Sequence, residues 1–148
     1  MLERLILTLI GSVAVWLVYR GFSSYLLGRN TGRALSLDGF RLGRPAILYF
    51  TAPGCGPCET IQRPALVELE ALSNGRVQII EVDATQQPRL ADAWGVLTVP
   101  TTFIIDSRGQ PRGVNHGVAR VKKLASQLAT VGELNPPGLD PSHLPESK

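Results

Sequence analysis

The stretch "TAPGCGPCET", residues 51–60, contains both cysteines of the 148-residue chain, at i and i+3 around Gly56 and Pro57. Upstream, "AILYF" (46–50) is short and almost wholly apolar, the pattern of a central buried strand. Downstream, Ile61, Leu66, Leu69 and Leu72 recur at helical spacing, and Pro64 within that run predicts a kink. The pair therefore stands where a strand turns into a helix. Cysteines at i and i+3 of a helix start lie within disulfide reach of each other. Cys55, at the helix N-terminus, meets unpaired N–H groups and the positive end of the helix dipole, which stabilise a thiolate. A thiolate attacks a target disulfide through a mixed-disulfide intermediate, and Cys58, one turn further in, is placed to resolve it. Pro57 suits the first helical turn, where its missing N–H costs nothing. Gly56 allows a substrate backbone to approach closely. Taken alone, a Cys-x-x-Cys pair also admits a structural role or a soft-metal site.

The elements around this junction alternate. "RVQIIEV" (76–82) reads as a second strand, "QQPRLADAW" (86–94) as a short helix with Pro88 near its start, and "TTFIID" (101–106) as a third strand. "SRGQ" supplies a turn into a fourth strand, Pro111–His116. "VARVKKLASQLATV" is an amphipathic closing helix with Val118, Val121, Leu124, Leu128 and Val131 on one side. This order predicts an α/β fold: a mixed sheet covered by helices on both faces. Trp94, Phe50 and Phe103 are expected in its core. The domain is read as 45–131, behind a Gly/Arg-rich linker (28–44) and before a Pro-rich disordered tail (132–148).

Composition narrows the function. Residues 1–44 hold six Arg against Glu3 and Asp38, a local net charge of +4, whereas residues 45–148 carry nine Lys/Arg against ten acids. The basic balance belongs to the N-terminal segment, so nucleic acid is not expected as a partner. Two cysteines make no disulfide framework, and His116 and His143 are too remote for zinc-ligand spacing, so no metal is expected.

"LILTLIGSVAVWLVY" (5–19) carries no charge and is apolar on every face. Continued to Leu27 it reaches ~34 Å, enough for a bilayer core if the Arg20 side chain snorkels. Trp16, Tyr19 and Tyr25 suit an interfacial belt. Residues 1–27 are accordingly expected to form a single transmembrane anchor. A cleavable signal peptide is the competing reading, weakened by the poor cleavage site Gly21-x-Ser23. The arginines after the span place the following domain in the cytoplasm by the positive-inside rule, although short-anchored redox domains often face outward.

"FTAPGCGPCETI" resembles the active site of the thioredoxin family, including its CGPC core, and "WGVLTVPTTFIIDSRGQ" is similar to the segment around that family's cis-proline. The resemblance spans about residues 45–131. It implies a thioredoxin fold and a cis Val99–Pro100 peptide. It further implies that Pro100 packs against the cysteine pair and that the Val99 backbone pairs with substrate. It departs in three places. Gly54 and Thr51 stand where the family usually has tryptophans. Tyr49 stands where it has a buried Asp that relays protons, and Glu81 where it has a neighbouring Lys. Pro64 lies one residue later than the family's helix proline. Tyr49 cannot act as a base near neutral pH, so Glu81 is read either as the replacement relay for Cys58 or as a solvated strand residue.

The expected function is a membrane-anchored protein-disulfide reductase. Cys55 is its nucleophile and Cys58 its resolving thiol. Gly56, Pro57, Val99 and Pro100 contact substrate, and Glu81 moves the proton. The resemblance implies no cofactor beyond the dithiol. The partners are a disulfide-containing client and an upstream thiol donor, and the chain is expected as a monomer. The rival reading is a redox-inactive binding module on the same fold, or a copper chaperone using the Cys pair.

Overall fold

In the computed structural model, residues 2–29 and 37–131 are described. Strand β1 (Ala46–Thr51) is buried at every position, as its uninterrupted apolar run requires. It pairs in parallel with β2 (Gln78–Asp83) on one side and antiparallel with β3 (Thr101–Ile105) on the other. Strand β4 (Pro111–His116) adds antiparallel to β3, so the sheet order is β2-β1-β3-β4. This is the mixed sheet expected from the element order.

Alternation along β1 and β3 divides the core in two. Ile47, Tyr49 and Ile104 face one layer, where they meet Leu66 and Leu69 of α2 (Arg63–Leu72) and Leu124 and Leu128 of α4 (Val121–Thr130). Ala46, Leu48, Phe50, Phe103 and Ile105 face the other, against Ala91 and Trp94 of α3 (Pro88–Trp94). There Phe103 takes edge contacts from Trp94 at 4.9 Å and Phe50 at 6.0 Å, so the three aromatics are core residues, as anticipated. Helices therefore cover both faces.

Three readings of the sequence change. The helix after Cys55 is not uniform: Cys58–Gln62 form a π-helical turn before α2 proper. A π turn holds one residue more than an α turn. Pro64 follows this turn as the second residue of α2. Ile61, read in the same helical stripe as Leu66 and Leu69, is instead exposed. Part of the segment read as linker packs on the domain. Leu37 is buried in the second core layer, and the Gln78 carboxamide bonds the Arg41 N–H and the carbonyls of Arg41 and Arg44.

The N-terminal segment is helical, as α1 (Leu2–Arg29). Among the described residues, however, no helix is long and apolar enough to cross a membrane. The 28 residues of α1 extend ~42 Å, with Arg20 within them. The single span expected over 1–27 is thus without support in the structure. The expected disordered tail lies outside the described residues.

Candidate active site

β1 ends at Thr51, and the chain reverses through Pro53 and Gly54. Gly54 adopts φ +76°, a left-handed conformation that side chains disfavour, which is a local reason for glycine where the family has tryptophan. The Cys55 N–H closes this turn on the Ala52 carbonyl at 3.3 Å, and the helix begins at Gly56.

Cys55 and Cys58 form a disulfide, with 5.3 Å between their Cα atoms. The two sulfurs have different surroundings. Cys55 is half-buried at the rim of the core, between exposed Gly54 and exposed Gly56 and Pro57, whereas Cys58 is 0% exposed. The Cys58 N–H points at Cys55 Sγ across 3.3 Å. A backbone donor at a helix N-terminus stabilises negative charge on that sulfur. The geometry can hold Cys55 as a thiolate while Cys58 stays shielded from solvent.

The Val99–Pro100 peptide is cis, as the resemblance implied. Val99 packs against the same core layer as Cys55, Cys58 and Tyr49, so the proline turn and the cysteine turn share one floor. The Gly117 N–H donates to the Pro100 carbonyl at 2.8 Å, tying this turn to the loop between β4 and α4.

Tyr49 lies fully buried beneath the pair, and its hydroxyl donates to the Cys58 carbonyl at 3.4 Å. Burial raises its phenol above the ordinary value of 10.0, with nearby Glu81 adding to the shift, so the hydroxyl stays a donor through neutral pH. Glu81 lies opposite Tyr49 in the β1–β2 register. Its carboxylate is exposed and accepts from Arg63 Nη2 at 2.7 Å, while Arg63 Nη1 holds Glu59 at 2.7 Å. Hydrogen bonding to Glu81, together with the charges of both acids, raises the Arg63 guanidinium further above its already high value. His116 is exposed on β4. Among the described residues, no cluster of three His, Cys, Asp or Glu is arranged to hold a metal ion.

One contributor escaped the sequence reading. Gln62, last in the π turn, is 0% exposed, and its carboxamide pairs with both backbone groups of Ala119: Nε2 donates to the carbonyl at 3.0 Å, and Oε1 accepts from the N–H at 2.8 Å. Its signal was a polar residue three, four and seven positions before the buried Ala65, Leu66 and Leu69, on the core side of an otherwise apolar stripe.

The thioredoxin family model matches residues 42–130. The chain is 30% identical over 84 residues to thioredoxin of Synechocystis sp. (strain PCC 6803), covering 57% of this chain and 77% of that protein. It is 30% identical over 60 residues to thioredoxin 1 of Nostoc sp. (strain PCC 7120), covering 40% of this chain and 55% of that protein. With thioredoxin of Staphylococcus aureus (strain Mu50) it shares 39% over 65 residues, 44% of this chain and 61% of that protein. The chain thus spans between about half and three quarters of the length of these relatives. Among solved structures, thioredoxin-2, a component of malaria parasite protein secretion machinery, superposes with a TM-score of 0.57 at 19% identity, covering 63% of this chain and 89% of that one, a likeness of fold. With a matched domain of this extent, a mixed four-stranded sheet and a disulfide-capable Cys-x-x-Cys pair at its strand-to-helix junction, the chain belongs to the thioredoxin family.

Proposed function

We propose that the protein is a thiol–disulfide oxidoreductase that reduces disulfides in client proteins. The observation that carries this reading is the asymmetry of the pair: Cys55 half-buried at the rim with a backbone N–H aimed at its sulfur, Cys58 buried behind it. The Cys55 thiolate attacks a client disulfide, forming a Cys55–client bond and releasing one client sulfur as a thiolate. The Cys58 thiolate then attacks Cys55 Sγ, forming the intramolecular disulfide and releasing the second client sulfur. Two electrons pass to the client, and the protons of the two cysteine thiols offset those its sulfurs take up. Gly56 and Pro57 border the nucleophile, Val99 and Pro100 supply the surface for the client backbone, and an upstream thiol donor must return the pair to the dithiol.

Insulin reduction with dithiothreitol as donor tests this reading. The wild-type chain is expected to precipitate the insulin B chain well above the donor-only rate, and Cys55→Ser to fall to that background. Wild-type turnover at background overturns the reductase reading, and tight Cu(I) binding would then favour the chaperone.

The same proposal attaches the domain to a lipid bilayer through α1. Its support is the exposure of Leu9, Val15, Val18 and Tyr19, large apolar side chains distributed around the helix. Alkaline carbonate extraction of cell membranes is expected to leave the protein in the pellet, and release to the supernatant removes the attachment. Labelling of Cys55 in intact cells by a membrane-impermeant thiol reagent then reports the side on which the domain lies. Protection fits the expected cytoplasmic placement.

A further inference from the structure

The π turn that carries Cys58 is held at both ends by buried side chains. At its first residue, the Cys58 carbonyl accepts the Arg63 N–H, the five-residue bond of a π turn, and also the Tyr49 hydroxyl at 3.4 Å. At its last residue, Gln62 makes the two bonds to Ala119. Ala119 lies two residues beyond Gly117, whose N–H holds the Pro100 carbonyl. A path of hydrogen bonds and short chain segments therefore runs from the resolving cysteine, through Gln62, to the cis-proline turn.

We propose that Gln62, assisted by Tyr49, is a positioning residue for Cys58: it fixes the π turn against the loop between β4 and α4, itself tied to the cis-proline turn, so that the buried sulfur meets Cys55 when the mixed disulfide must be resolved. This rests on the reductase reading above. Three features select Gln62 for the task. A buried carboxamide is stable only with its donors and acceptors paired, and here both of its polar atoms are used on one residue. Pairing both backbone groups of Ala119 fixes orientation as well as distance, as a strand pairing does. The bonds join segments 57 residues apart in sequence. Substrate contact is not involved, since Gln62 has no exposed surface. Opening the Cys55–Cys58 bond removes the covalent tie between the two residues. From then on, the turn's non-covalent pins decide where Cys58 Sγ points, and effective concentration in an intramolecular attack is sensitive to that placement.

The assignment separates the two chemical steps. Attack by Cys55 depends on the Cys58 N–H and the exposed rim, whereas resolution depends on the pinned turn. The test uses the full chain in the dithiol form and a peptide disulfide carrying a fluorophore, with rapid acid quench and mass analysis of the mixed disulfide. Gln62→Met, close in volume but without polar atoms, is expected to leave the rate of mixed-disulfide formation within about twofold and to slow resolution by about tenfold, equivalent to about 1.4 kcal/mol. The mixed disulfide should then accumulate where the wild type shows almost none. Where Gln62→Met does not fold, Tyr49→Phe carries the test, with resolution slowed by about threefold because only one long bond is lost. Equal slowing of both steps, or unchanged resolution in a folded variant, overturns the assignment while leaving the reductase reading intact. A wild-type chain that leaves the peptide disulfide unreduced overturns both.

Discussion

Arg63 Nη2 and Glu81 Oε1 stand 2.7 Å apart, joining the start of α2 to the edge strand β2 beside the cysteine pair. The guanidinium also holds Glu59, the residue after Cys58, so one cation lies between two carboxylates. All three side chains are more than two-fifths exposed, and such pairs add little to stability. Their effect falls on the charge around the dithiol. Arg63→Met is expected to leave the melting temperature unchanged but to expose the cysteines to two uncompensated negative charges, which disfavour a thiolate. The rate of Cys55 alkylation by iodoacetamide should fall severalfold at pH 7 and recover as pH rises. A rate equal to wild type at every pH would show that the triad does not influence the thiol.

The proposed proton transfer by Glu81 has its own check. The carboxylate is exposed and lies beside Tyr49 in the β1–β2 register. Glu81→Gln is expected to slow insulin reduction and flatten its pH profile. An unchanged rate and profile would leave Glu81 with only its ion pair to Arg63.

Gly54, immediately before the nucleophile, holds φ +76° with open space where a Cβ would lie. Substitution there meets conformational strain and no clash. Gly54→Ala should lower stability by about 1 kcal/mol, measurable by urea denaturation, and leave the Cys55–Cys58 disulfide able to form. Stability equal to wild type would mean that the turn relaxes to a negative φ.

Asp106 organises the turn between β3 and β4. Burial raises its carboxyl, but bonds from the Gln110 N–H at 2.8 Å, Arg112 Nε at 2.7 Å and the Arg108 N–H at 3.0 Å outweigh that and lower it below 3.8. A carboxyl depressed in the folded state contributes its stabilisation fully above the unfolded value, and loses it as pH falls through the folded one. Asp106→Ala should therefore destabilise by about 2 kcal/mol at pH 7, with the gap from wild type closing below pH 3.8. A gap that persists undiminished in acid would assign the loss to packing and not to the ionised carboxylate.

Much of the domain was legible from local pattern. β4 runs over Pro111–His116, as read, because a turn signal and a change of period mark its ends. β1 and β3 matched their apolar runs to within one residue. The pair at the strand-to-helix junction and the cis Val99–Pro100 peptide were anticipated from motif and resemblance. The π turn was not, since one displaced proline is compatible with a shifted kink, a bulge or a wider turn. Leu37 looked like linker because nothing nearby repeats with a period, and its burial depends on a surface that β1, β3 and α3 build together.

What the sequence by itself determined is the chemistry and the layering: two cysteines at i and i+3 after a buried strand, and strands whose alternation assigns each residue to a face. Those features are set by periodicity and by groups adjacent in the chain. Only the tertiary structure decided which cysteine is shielded, that Tyr49 reaches the Cys58 carbonyl, and that Gln62 bonds Ala119. A buried polar group must find its partner in three dimensions, and here that partner is a backbone 57 residues away, whose identity no side-chain pattern records.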